Sequence, residues 1–266
     1  MTASLLETVV AGARRSAEMR ERAVARPAFE EAWAGKRPRG DLFEVSLRQP
    51  GTRIIAECKR RSPARGVLRV NYDPAAIARS YETAGAAAIS VLTEPTFFDG
   101  SLAHLSAVRS AVELPLLCKD FLTSEFQLLE ARAAGADAVL LIVAALDQQA
   151  LARLIAHARA LGLAALVEVH DRDELGRALD AGASIVGVNC RSLRTLEVST
   201  AVFDELAASL PGNVVAVAES GLKSGADVGR LRAARYDAFL IGERFMVAAD
   251  PGAALAGLLA GAGSDV

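Results

Sequence analysis

The chain has 266 residues, 52% apolar, 23% charged and 5% aromatic, with a formal net charge of −2. That composition builds a globule with a sizeable core and excludes a disordered chain. There is no basic excess to argue for nucleic acid or an anionic membrane surface as partner.

The longest uninterrupted apolar run, Ala138 to Leu146, falls far short of the roughly 20 residues that a membrane span requires. The N-terminus carries Glu7 early and no basic residue before its apolar positions, so it does not read as a signal peptide. Cys58, Cys118 and Cys190 lie far apart, and His104, His157 and His170 form no ligand pattern. The expectation is a reduced, cytoplasmic chain with no metal site.

In chain order, residues 1–50 read as a helix over roughly 3–33 and then a loop containing GKRPRGD at 35–41. Leu5, Leu6, Val9 and Val10 need a surface to cover, so this segment is expected to pack on the body that follows. From residue 53 one plan repeats: a short apolar run, a loop, then a longer amphipathic segment. The runs are 53–58, 87–93, 114–119, 138–143, 164–169, 185–190, 214–219 and 238–242. Nearly continuous aliphatic runs of this length are the pattern of strands buried on both faces. Between them lie helical segments such as 147–162 and 224–236, several stopped by Gly in AGA, AGAD and AGAS. Eight strand–helix units predict an α/β fold, a single (β/α)8 TIM barrel. A doubly wound open sheet more often uses fewer strands, and no G-x-G-x-x-G follows the first strand. The expected organisation is an N-terminal helical extension, 1–50, and a barrel catalytic domain, 51–266.

Chemistry in such a barrel gathers at the C-terminal strand ends. Those ends carry Glu57 and Lys59, Glu94, Lys119, Glu168, Asn189, Glu219 with Ser220, and Gly242. In a strand, residues two apart share a face, so Glu57 and Lys59 are expected to look into one pocket. Burying unpaired charge is costly, and so many polar residues at one rim read as an active site. ESGLKSG (219–225) and IGERF (241–245) follow the last two strands, where barrels commonly bind phosphate. A phosphorylated small molecule is therefore the expected ligand.

IIAECKRRSP (54–63), SVLTEPTFFDGS (90–101), LLCKDF (116–121), GADAVLLIVAAL (135–146), LVEVH (166–170), VGVNCRSL (186–193), AESG (218–221) and AFLIGERFM (238–246) resemble, in order, the indole-3-glycerol phosphate synthase family. The resemblance covers residues 5 to 260. It implies conversion of 1-(2-carboxyphenylamino)-1-deoxyribulose 5-phosphate into indole-3-glycerol phosphate, a carbon–carbon lyase step of tryptophan biosynthesis that releases carbon dioxide and water without cofactor. It implies Lys119 as general acid for ring closure, with Lys59 pairing with the substrate's anionic groups and able to share that role. Glu168 would assist dehydration, acting as an acid only if its pKa were raised. Glu57 would orient the lysines, and Asn189 and Glu219 would hold the substrate's polar centre. Ser62, Ser220, Gly221, Gly242 and Glu243, the last through its backbone, would line the phosphate side. Phe98, Phe121, Leu140 and Ile142 would form the slot for the aromatic ring, and Arg191 would bind substrate. The N-terminal helix would cover the barrel mouth, and the protein would act as a monomer or weak homo-oligomer.

The chain departs from the family pattern at SPARG (62–66), which replaces S-P-S-K-G. DFLTSEFQ (120–127) has Thr123 and Ser124 where an acidic residue is common, and Arg244 stands where a small residue is usual. Two rival readings are a catalytically retired phosphometabolite-binding barrel and an enzyme like phosphoribosylanthranilate isomerase, which would rely on a cysteine such as Cys58. A Schiff-base aldolase using Lys59 or Lys119 is a further possibility on the same rim.

Overall fold

The eight apolar runs are strands. In the computed structural model, which describes residues 4–23, 38–193 and 195–263, they are β1 (Arg53–Cys58), β2 (Ala88–Leu92), β3 (Leu116–Lys119), β4 (Ala138–Ile142), β5 (Ala164–Val169), β6 (Ile185–Asn189), β7 (Val215–Glu219) and β8 (Ala238–Ile241). All pair in parallel with their neighbours, and β8 closes on β1 with Arg53 opposite Ala238 and Ala56 opposite Ile241. Helices alternate with the strands, as a TIM barrel requires.

Strand alternation sorts every side chain into one of two apolar layers. Ile54, Ala56 and Cys58, Leu116 and Cys118, Val167 and Val169, and Ala216 and Ala218 pack outward against the helices. Ile55, Leu117, Leu166, Ile185, Val215 and Val217 fill the lumen. Most helices that follow a strand begin on a side-chain cap: Asp73, Ser101, Ser124, Asp147, Asp171, Ser224 and Asp250 each accept a backbone N–H of the first turn. The expected glycine stops hold too, with Gly85, Gly135 and Gly182 at φ of 92°, 99° and 82°.

The N-terminal segment differs from its sequence reading. Helix α1 spans Leu5–Ala23, and the remainder of the expected 3–33 helix lies outside the described residues, as does the loop up to residue 37. Gly40 and Asp41, expected in that loop, open a second helix, α2 (Gly40–Arg48). Its Phe43 and Leu47 stand four apart on one face and are fully buried in the lumen cluster. Their neighbours there include Ile185 and Val215 at strand N-terminal ends, so α2 plugs the barrel floor. Gly40 allows this approach, because a side chain there would overlap the backbone of Ala164 and Gly162. A short antiparallel pairing of Arg61–Ser62 with Gly66–Val67 shapes the loop after β1. None of the described helices is long and apolar enough to cross a membrane.

The floor plug yields a prediction. Phe43→Ala should cost about 3–5 kcal/mol of unfolding free energy in chemical denaturation, with KM little changed because the floor lies away from the rim.

Candidate active site

The same alternation that fills the lumen raises a polar ring at its top. Where Ile55 points inward, so do Glu57 and then Lys59; Leu117 is followed by Lys119, Leu166 by Glu168, and Val217 by Glu219. Glu57, Lys59, Lys119, Glu168 and Glu219 line one cavity of about 870 Å³ together with the candidates Ser62, Phe98, Phe121, Leu140, Ile142, Asn189, Arg191, Ser220, Gly221, Gly242 and Glu243. Glu94 is the exception. Its carboxylate accepts the backbone N–H groups of Thr96, Phe97 and Phe98, so it caps the short helix Pro95–Phe98.

At the centre, Lys119 Nζ lies 3.3 Å from Oε2 of Glu168 and 3.1 Å from Oε2 of Glu219. Both carboxylates are 1% exposed. Burial pulls the Lys119 ammonium down, but Glu219, Glu168 and Glu57 outweigh it and leave its pKa raised. The two carboxylates then separate. Burial and the neighbouring Glu168 charge push Glu219 up to about 7 despite Lys119. Glu168 is buried as deeply, yet Lys119, His170 and Asn189 overcome the desolvation and hold it below the ordinary carboxylate range. The resemblance raised Glu168 as the possible acid; the environment gives the raised carboxyl to Glu219 instead. Gly187 on β6 makes room for it, since a methyl group there would overlap the Glu219 carboxylate.

Beside this trio, Lys59 Nζ contacts Oε1 of Glu57 at 2.6 Å. Glycine at position 242 has the same function as at 187: a Cβ there would overlap the Glu57 carboxylate. Cys58, between the two, points outward among helix-facing residues, and burial pushes its thiol up. It cannot serve as an isomerase's rim cysteine. Asn189 Oδ1 accepts the backbone N–H of Arg191 at 3.0 Å.

The two sides of the mouth differ. Toward β2–β4 the wall is apolar, with Phe98 and Phe121 stacked at a tilt 6.3 Å apart beside Leu140 and Ile142. Leu5, Leu6 and Val9 of α1 line the cavity as well, and α1 is held by Arg20, whose guanidinium meets Glu130 at 2.6 Å. Toward β6–β8 the wall is cationic, with Arg65, Arg191, Lys223 and Arg244. Glu243 engages this side through its carboxylate as well as its position, with Arg65 at 3.0 Å and Arg191 at 3.6 Å. Arg244 borders the same cavity and donates to the carbonyl of Lys223. Ser220 and Gly221 are both left-handed, at φ of 69° and 67°; glycine adopts this freely, whereas Ser220 is strained, and strained backbone of this kind collects at functional loops.

Sequence reasoning missed Asp120, Arg65 and His170. Asp120 borders the cavity, accepts from Thr93 Oγ1 at 2.6 Å and is pushed by burial up to about 6. His170 continues the inward alternation one step past Glu168, a signal the strand period carried.

The glycine contact is directly testable. Gly187→Ala should lower kcat/KM about 10-fold or more by displacing Glu219 from Lys119, while costing roughly 1–3 kcal/mol of stability.

Among solved structures the barrel resembles thiamine phosphate pyrophosphorylase from Pyrococcus furiosus, with a TM-score of 0.61 and 16% identity over 80% of this chain and 95% of that one. A 3-hexulose-6-phosphate synthase gives a TM-score of 0.60 and 18% identity over 79% and 99%. These likenesses concern the fold alone. In sequence, the chain is 51% identical to the indole-3-glycerol phosphate synthase of Parafrankia sp. over 92% of this chain and 91% of that one. It is 46% identical to indole-3-glycerol phosphate synthase 1 of Streptomyces coelicolor, over 97% and 95%. The family model for indole-3-glycerol phosphate synthase matches residues 6–258. The chain belongs to the indole-3-glycerol phosphate synthase family.

Proposed function

We infer that this chain is an indole-3-glycerol phosphate synthase, closing the indole ring of 1-(2-carboxyphenylamino)-1-deoxyribulose 5-phosphate with loss of carbon dioxide and water. The observation that carries the mechanism is Lys119, held as an ammonium between Glu168 and Glu219 in a mouth that is apolar on one side and cationic on the other.

The anilino ring takes the slot of Phe98, Phe121, Leu140 and Ile142, and the phosphate takes the side of Ser220, Gly221, Gly242 and Arg191. Lys59 and Lys119 meet the substrate's carboxylate and carbonyl between these ends. Lys119 donates a proton to the carbonyl oxygen as the carboxyl-bearing ring carbon bonds to the carbonyl carbon. Carbon dioxide then leaves, and its bonding pair restores the aromatic ring. Glu168, held as a carboxylate, removes the proton from the carbon next to nitrogen. Glu219, whose carboxyl holds a proton below about pH 7, delivers it to the departing hydroxyl, which leaves as water. Glu57 keeps Lys59 in place and Asn189 braces Glu168. The protein acts without cofactor on a phosphorylated small molecule, as a monomer or weak homo-oligomer. A cytoplasmic setting suits its free, buried cysteines.

Incubation with the substrate, followed by indole fluorescence, tests this reading. Wild type should turn over, and Lys119→Met should lose about 10²–10⁴-fold in kcat. Turnover in both would move the acid to Lys59, and tight binding without turnover would favour a retired barrel. In the free enzyme, kcat/KM should fall as pH rises through about 7, because Glu219 loses the proton it donates. Glu219→Gln should abolish that limb; a limb that persists would take the role from Glu219.

A further inference from the structure

His170 lies just past the end of β5, and its imidazole stands between two carboxylates. On one side Glu174, in the first turn of the helix Arg172–Asp180, accepts from the backbone N–H of His170 at 2.8 Å. The same Glu174 oxygen lies 3.1 Å from His170 Nδ1. On the other side, Nε2 lies 3.5 Å from Oε1 of Glu168. Both of those atoms are buried, and neither has a hydrogen-bond partner among the described residues.

The donor inventory decides what this means. A carboxylate oxygen only accepts, so Nδ1 carries a hydrogen to meet Glu174. A neutral ring would then aim the lone pair of Nε2 at the lone pairs of Glu168. A proton between Nε2 and Oε1, 3.5 Å apart, removes that repulsion and satisfies both buried atoms directly. The geometry points to His170 as a positioning residue: clamped by Glu174, it shares a proton with Glu168 and holds that carboxylate in place opposite Lys119. The inference rests on the assignment of Glu168 as the base of the dehydration step.

The charged groups that face His170 are Glu168 on its own strand, Glu174 on the following helix and Glu219 from β7, with Lys119 on the far oxygen of Glu168. Burial opposes charge on the ring, but the Glu174 hydrogen bond and these carboxylates outweigh it and leave the imidazole raised. An ordinary helix-capping contact would account for Glu174 bonding the backbone of His170. It would not account for the ring aimed at Glu168.

The test compares His170→Asn, His170→Gln, Glu174→Gln and Glu168→Gln by kcat, KM, the pH profile of kcat/KM and thermal melting. His170→Asn keeps a group near Nδ1 but cannot reach Glu168. It should lower kcat roughly 10–100-fold with KM held within about 2-fold. Its acid limb should move to higher pH, because Glu168 without the neighbouring cation takes up its proton more readily. His170→Gln, whose amide reaches the Nε2 position, should recover part of kcat without recovering the limb. A wild-type kcat and acid limb in His170→Asn, with Glu168→Gln inactive, would overturn the role of His170 and leave the base assignment intact. Activity retained in Glu168→Gln would instead remove the base assignment, and the role of His170 with it. If His170→Asn fails to fold, Glu174→Gln decides: a limb shifted upward supports the clamp, and an unchanged limb with a lowered melting temperature reduces it to a helix cap.

Discussion

An ammonium group in a barrel lumen survives only among carboxylates, and the arrangement of this rim follows from that constraint. The lumen below Lys119 is filled with Ile, Leu and Val side chains, so no solvent layer can hydrate an isolated charge there. Glu168 and Glu219 supply the matching charge from strands across the mouth. They in turn crowd each other, and two carboxylates beside one cation cannot be equivalent. One is held low by further partners, the other takes up a proton near neutrality. A lowered and a raised carboxyl side by side thus arise from one act of charge matching.

Such a cluster does little for stability, since buried ion pairs seldom repay their desolvation. Stability is carried elsewhere. The outer layer between strands and helices, the inner layer closed below by Phe43 and Leu47, and a run of Asp and Ser helix caps lie apart from the rim. Floor and outer shell hold the strands rigid, and rigidity lets Gly187 and Gly242 give Glu219 and Glu57 the space of a missing methyl group. The rim can therefore be tuned without loosening the barrel.

The departures from the family pattern are accommodated locally. Arg65, in place of the usual lysine, pairs with Glu243 and links the loop after β1 to the short helix Glu243–Met246 after the neighbouring β8. Thr123 and Ser124 converge with Gln127, whose amide oxygen accepts from both hydroxyls and from the Thr123 N–H, while Ser124 caps the helix Glu125–Ala133. A polar cluster does there what an acidic residue would do at a helix N-terminus. Arg244 is turned to the Lys223 carbonyl, joining the loop after β7 to the short helix after β8.

The chain's own pattern determined the barrel, because strands buried on both faces must be apolar throughout and their period of two is written residue by residue. It also determined that Glu57 and Lys59 share a face, and that Lys119, Glu168, Asn189 and Glu219 crown the lumen, since their place in the strand alternation turns them inward above apolar neighbours. Tertiary structure alone decided the rest. Which carboxylate is protonated depends on neighbours from strands distant in sequence: Glu168 has Asn189 and His170 beside it, and Glu219 does not share that support to the same degree. The α2 plug escaped a reading by local pattern because Gly40 and Asp41 look like loop residues until Ala164 stands against them. Glu94 looked like a site residue because its strand ends at the rim. Its cap on the next helix is a hydrogen-bond geometry, and no linear pattern separates a carboxylate turned into a cavity from one turned onto backbone N–H groups.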